Sequence, residues 1–370
     1  MVLPYEDNLE IKYLNHIFDK TSNCYKYFWF LAILENIDNK TEFTYDELIT
    51  EMIVIAWYMV NEYGLKLGPS NTTDNLEEVV KYLFSGPFAG KVSTAVKKEV
   101  LRKKLNELDD KNDKDYKKYK NFKETLINNV PYCLQSPFYK DIKDPNKNKI
   151  EIINRQERLI YYFKEFRKLD TVIYISDEWV DYLRKNKIIL IDWARYGLVN
   201  YLEKRNRLVP GISEKILPPY ARDLKRVKDY WCTIIKVAPD IKEIYGDNLL
   251  KDVSISIDHF VPWQFVAHDE LWNLCPTTKS INSSKSNNLP NWDKYFIKLC
   301  NLEYRAYQLR YENELVAKEF EKCSKYHIND SKVKAQLYSD NIDKDVFRER
   351  LANVIKPEYD FAKKCGFQEW

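Results

Sequence analysis

Turn-forming residues are scarce in this chain: 8 glycines and 14 prolines punctuate 370 residues, about half the usual share. Strands need a turn every few residues, so a chain that turns this seldom must spend its length in helices. Aromatic residues make up 15% of it, 28 of them tyrosine, and 45% of all residues are hydrophobic. That is enough apolar surface for real cores, and the length allows roughly two domains of about 150 residues. A disordered tail and a disulfide-stapled mini-protein are excluded.

Periodicity supports helices from residue 8 to about 245. Apolar positions recur at three- and four-residue steps through Leu9, Tyr13, Leu14 and Ile17, and again through Tyr27 to Ile37. Thr44 with Glu47 three residues on is a capping-box pattern, opening a helix that runs through Ile53 to Val60. Asn71 to Phe84 reads as a polar turn leading into a short helix. Residues 97–120 hold ten Lys or Arg against six acids and predict a solvated helix pair with a mobile connection. Three prolines mark 131–150 as a loop, and the β-branched run Thr171 to Ile175 predicts a short strand. Helical periodicity returns from Tyr295 to Cys323, breaks near His327 to Ser331, and resumes at Val346.

The balance of 59 basic against 56 acidic side chains leaves a net charge of +3, so any basic surface for nucleic acid must be local. The best local candidate is 203–228, with eight basic residues against three acids; Arg222, Lys225, Arg226 and Lys228 are its C-terminal part. The longest apolar runs, Tyr27 to Leu34 and Met52 to Val60, are eight and nine residues, against about 20 needed to cross a bilayer. No membrane partner is expected. The acidic N-terminus lacks the features of a secretory signal, and a cytoplasmic location is the expectation. Seven scattered cysteines, none spaced C-x-x-C, argue against a disulfide framework and a zinc knuckle and read as reduced, mostly buried thiols.

The alternating run Val253 to Ile257 reads as a strand and leads directly into Asp258-His259. Two titratable groups at a strand end are placed for chemistry. The segment continues through Phe265 to Asn273, then Lys279-Ser-Ile-Asn282-Ser-Ser-Lys285-Ser-Asn-Asn288-Leu-Pro290. It resembles the HNH (ββα-metal) endonucleases, whose motif is Asp-His after a strand, a central Asn before a second strand and a final Asn or His on a helix. Fourteen residues separate His259 from Asn273 and nine separate Asn273 from Asn282. These intervals, with Val261-Pro262, Phe265, Lys285-Ser286, Asn288 and Pro290, are similar to the HNH domain of RNA-guided CRISPR effector nucleases. The resemblance covers about residues 250–292 and departs from many HNH domains in lacking two C-x-x-C pairs for a structural zinc. No zinc is expected, and the surrounding helices must brace the small fold instead.

The resemblance implies a mainly α protein with an embedded small α+β unit: a helical recognition, regulatory or interaction region over 1–245, an HNH module over 246–300 and a helical C-terminal cap over 301–370. Its implied activity is metal-dependent hydrolysis of DNA phosphodiesters, leaving 5′-phosphate and 3′-hydroxyl ends. Asp258 and Asn282 supply the hard oxygen donors that suit Mg²⁺, with Mn²⁺ as the expected substitute. His259 is the general base, since an imidazole titrates near neutrality, and Asn273 holds the loop that aims it. Lys285, three residues beyond Asn282 and so on one helical face with it, is a candidate for phosphate contact together with Lys279. His268 is a weaker candidate for a proton donor. Trp263 and Trp272 read as core rather than base-stacking platforms, and His16 and His327 as ordinary residues.

Cutting both strands needs two active sites or two visits, so a homodimer or a separate regulatory or sensor protein is a plausible partner. No Walker A pattern is present, so any controlling nucleotide hydrolysis belongs to another, ATPase protein. A bacterial defence or restriction effector is the implied context. Two alternatives stay open on sequence grounds: a non-cleaving nucleic-acid-binding protein with an HNH fold, and a nuclease directed at RNA.

Overall fold

The apolar runs are too long to form a single helical stripe, and the helices that carry them are buried nearly all round. The computed structural model describes residues 2–69, 72–108, 114–128, 130–139, 149–219, 222–251 and 255–370. Helix α1 (Tyr25–Asn36) is buried without a break from Lys26 to Leu34. It packs against α2 (Tyr45–Trp57), and α2 in turn packs on α3 (Asn75–Ser85). The capping box that opens α2 is formed: Glu47 N–H donates to Thr44 Oγ1 at 3.1 Å and Thr44 N–H donates to Glu47 Oε2 at 2.9 Å. Helix α4 (Lys187–Arg205) also packs on α1.

The strand expected near 171–175 is present and is the centre of a three-stranded antiparallel sheet that the sequence did not disclose. Its strands are β1 (Glu42–Thr44), β2 (Tyr161–Phe163) and β3 (Val172–Ile175), in the order β1-β3-β2, with Ile173 opposite both Phe43 and Phe163. The outer strands have three residues each, too short for alternation to register. Helices Lys98–Glu107 and Lys114–Leu126 form the charged pair, and the connection expected between them lies outside the described residues. Part of the 131–150 loop does too; its start is helical over Val130–Cys133. All these elements belong to one compact unit, Met1–Arg207 with Ile212–Pro219.

The second unit comprises Leu208–Gly211 and Tyr220–Trp370. Helix α5 (Lys225–Val237) buries Val227, Tyr230, Trp231, Ile234 and Ile235, the i, i+3, i+4, i+7, i+8 stripe of an amphipathic helix. After it come β4 (Ile255–His259), β5 (Leu274–Thr278), α6 (Lys279–Lys285), α7 (Trp292–Glu312), α8 (Glu314–His327) and α9 (Lys344–Lys364). The periodic stretch 295–323 is thus two helices. Asn313 adopts an extended conformation between them and caps α8 by accepting from Leu315 and Val316 N–H. Helix α5 packs on α8 and on β4, while α7 packs on α8 and α9. Residues 227–245, read from sequence as part of the N-terminal region, share a core with the hairpin and the C-terminal helices. The architecture is mainly α with a small α+β unit, and among the described residues no helix is long and apolar enough to cross a membrane.

One group in this core is out of place. Glu303 on α7 is 4% exposed, its Oε1 has no hydrogen-bond partner among the described residues, and burial holds its pKa well above the ordinary carboxylate value. The unfolded chain ionises this carboxyl near pH 4.3, so stability falls as pH rises from there toward the raised folded value. Glu303→Met is expected to stabilise the protein by roughly 1–3 kcal/mol near pH 7, with the gain shrinking toward pH 4. Urea unfolding of both proteins across that range checks it.

Candidate active site

The site is built on one hairpin and one short helix. Strands β4 and β5 pair antiparallel with Ile255 opposite Thr278, Asp258 opposite Cys275 and His259 opposite Leu274. The expected strand begins at Val253, but residues 252–254 lie outside the described ones. Thr278 ends β5 and caps α6, its hydroxyl accepting from Ile281 N–H at 3.3 Å. Helix α6 then runs back across β4, so Asn282 and Lys285, three residues apart on one face, both meet that strand.

Asn282 donates through Nδ2 to Ser256 Oγ at 2.7 Å and to Ile257 O at 3.0 Å. A carbonyl can only accept, so this fixes the amide orientation and turns Oδ1 away from the strand. Asp258 is 3% exposed; it accepts from the Tyr245 hydroxyl through Oδ2 and from Lys285 Nζ through Oδ1 at 3.1 Å. Burial, with the Asp258 charge beside it, pushes the Tyr245 phenol well up, so it stays a donor. Lys285 corrects the sequence reading: it is 0% exposed, and Nζ also donates to His259 O at 2.8 Å. The face it shares with Asn282 turns inward, because a buried carboxylate and a strand-end carbonyl both need a donor. Lys285 thus does not present its ammonium on the surface for a phosphate.

Asn273 is fully buried and bonds both backbone groups of Val261: Val261 N–H donates to Oδ1 at 2.8 Å and Nδ2 donates to Val261 O at 2.9 Å. This pins the chain two residues past His259. Asn273→Ala leaves a buried N–H and C=O unmet and is expected to cost roughly 2–4 kcal/mol. Asn273→Asp can satisfy only the N–H. Denaturant midpoints of the two variants check the ranking.

His259 is 5% exposed. Its Nε2 lies 2.7 Å from Asp269 Oδ1, and its Nδ1 lies 3.5 Å from Arg222 Nη1. Carboxylate and guanidinium together assign the tautomer: Nε2–H donates to Asp269 and Nδ1 keeps its lone pair. Burial lowers the imidazole pKa, opposed by Asp269, and the net direction is down, which favours the neutral ring. For Asp269, burial pushes the pKa up, but the His259 hydrogen bond and nearby positive charges outweigh it and the net shift is down. Asp269 is itself held by its neighbours. His327 on α8 donates to Asp269 O at 2.7 Å, and Glu270 accepts from Asn329 N–H and from Asn329 Nδ2. His327 is therefore a buried brace.

Among the basic candidates, Arg222 stands over the Trp263 ring at 5.0 Å, beside His259. Arg226 stacks on Tyr326 at 4.2 Å, and Lys225 and Lys228 are exposed on α5, as is Lys279 at the start of α6. Trp263 and Trp272 are buried, and His268 packs against Trp272 at 5.2 Å. His16 pairs with Asp19 on the surface of the other unit.

The profile of the HNH endonuclease family matches residues 242–291. This segment is an HNH endonuclease domain. Such a domain points to nuclease chemistry on a nucleic-acid substrate, and HNH nucleases are generally metal-dependent. The match is to HNH endonucleases at large and does not extend to the closer likeness with RNA-guided effectors. No curated protein and no solved structure matches the chain. The matched segment begins before the Asp-His motif and so includes Tyr245 and Glu243; the Glu243 carboxylate ties down the N–H groups of Tyr245 and Gly246.

Among the described residues no group of three His, Cys, Asp or Glu side chains is placed to hold a metal ion. A Mg²⁺-like cation needs fewer protein ligands, because it keeps several waters and takes phosphate oxygens. The Asp258 carboxylate and the Asn282 Oδ1 are the hard oxygen donors that chemistry needs. Lys285 adds a condition: the cation meets a neutral carboxylate–ammonium pair rather than a bare carboxylate, so a bound phosphate must supply the balancing negative charge.

Proposed function

We propose that this HNH domain makes the chain a metal-dependent DNA endonuclease, with His259 as general base and Asp258 and Asn282 holding one Mg²⁺, replaceable by Mn²⁺. The observation that carries this reading is the placement of His259: buried, with Nε2 on Asp269 and Nδ1 left to act as base, at the end of a strand that also bears Asp258. Asn273 holds the following turn and so keeps the imidazole aimed. When bound, the cation would offset the charge that builds on the phosphate. Asp269 stabilises the imidazolium formed as His259 takes the proton.

DNA is assigned from the likeness of the motif to nucleases that cut it, and the ends left are a 5′-phosphate and a 3′-hydroxyl. The exposed Lys225, Arg226, Lys228 and Lys279 supply backbone contacts without sequence choice. One such domain nicks; a double-strand break requires a second copy or a second visit, which a homodimer or a regulatory sensor protein would control. A cytoplasmic restriction or defence role suits an enzyme of this kind. The test is supercoiled plasmid incubated with Mg²⁺, Mn²⁺ or EDTA, alongside labelled DNA and RNA of one sequence. Metal-dependent nicking of DNA supports the reading. Cleavage of RNA alone, or binding without cleavage under any metal, overturns it.

A further inference from the structure

Arg222 differs from the other exposed basic residues in what it touches. It lies three residues before α5, with its guanidinium over the Trp263 ring and Nη1 3.5 Å from His259 Nδ1. Among the described residues it makes no ion pair. The ring face holds it in place without neutralising it. Because Asp269 occupies Nε2, Nδ1 is the only imidazole nitrogen able to accept a proton from water, and Arg222 stands against that nitrogen.

We infer that Arg222 is a catalytic residue that grips a non-bridging oxygen of the scissile phosphodiester, turning from His259 Nδ1 to do so and thereby freeing the base. This rests on the nuclease reading. In that hydrolysis the water oxygen bonds to phosphorus while its proton passes to His259 Nδ1. The P–O3′ bond breaks, and the 3′ oxygen takes a proton from solvent. A guanidinium suits that oxygen because its N–H groups are charged donors whose hydrogen bonds strengthen as negative charge gathers there. Lys225 and Lys228 have no such place at the imidazole and act on the flanking backbone.

The experiment pairs Arg222→Ala and Arg222→Lys with a DNA duplex carrying a single methylphosphonate, of each configuration in turn, at a nick position mapped with wild-type enzyme. Arg222→Ala is expected to slow nicking of the normal duplex by roughly 10²- to 10³-fold, and Arg222→Lys to recover only part of that. One methylphosphonate configuration slows wild type by a similar factor, and the two losses combined fall well short of their product because both remove the same contact. Losses that multiply, or an Arg222→Ala enzyme as fast as wild type, overturn the assignment. Lys228→Ala, by contrast, weakens duplex binding and lowers its salt slope by about one without sensitivity to the methylphosphonate. If wild type nicks nothing under any metal, the nuclease reading falls and this assignment with it. Thermal unfolding of each variant separates a lost contact from a lost fold.

Discussion

His259→Ala is expected to slow plasmid nicking by about 10²- to 10⁴-fold, the contribution of a positioned general base, while fold and DNA binding persist. The fold persists because the strand is held by the backbone, with Lys285 on His259 O and the β4–β5 ladder through main-chain groups; losing the Nε2–H donor to Asp269 costs about 1–3 kcal/mol, which thermal unfolding reads. Binding persists because the exposed bases on α5 and Lys279 are untouched. Gel densitometry of nicked and linear plasmid against time, with duplex anisotropy on the same preparations, measures both quantities. A variant that nicks within about tenfold of wild type would mean that water is activated elsewhere. His259→Gln keeps most of the volume and separates lost chemistry from a cavity.

The residues of the HNH motif were legible because the unit is local. A strand, a return strand and one helix fix Asp258, His259, Asn273 and Asn282 within one short segment, and the family profile covers the same stretch. What spacing could not give was direction. Three residues between Asn282 and Lys285 guarantee a common face, but only the packing of α6 on β4 says that the face points inward. Tyr245 and Asp269 were missed for another reason: each reaches the site from irregular backbone, where no periodicity marks one residue over its neighbours. Helix α5 carries its basic residues on one face and its core stripe on the other. The charge count saw the first and not the second. The sequence has no C-x-x-C pair, and distant chain braces the unit: Leu289 N–H donates to Gln368 O, Leu289 O accepts from Trp370 N–H, and Trp370 packs on Tyr245, which holds Asp258.

Asp269→Asn is the variant that distinguishes aiming from mere packing. A carboxylate only accepts, so it holds the proton on Nε2 and leaves Nδ1 bare; an amide can instead present its NH₂ to Nε2 and drive the proton to Nδ1, where it blocks the base. The substitution also removes the charge that stabilises the imidazolium. We expect nicking to fall by up to about 10⁴-fold, as when a buried carboxylate behind a catalytic histidine is made an amide. The pH profile carries the decisive sign. A base works deprotonated, so the rate rises with pH through the His259 pKa, and burial has already placed that limb below the usual histidine value of about 6.5. Asp269 opposes burial by favouring the charged ring. Without it the pKa falls further and the acid limb moves to lower pH, while the plateau drops. If Asp269 only filled space, the plateau would drop and the limb would stay. Initial nicking rates of wild type and variant from about pH 5 to pH 8 decide between them, and Asp269→Ala, which forces neither tautomer, is expected to retain more activity than the amide.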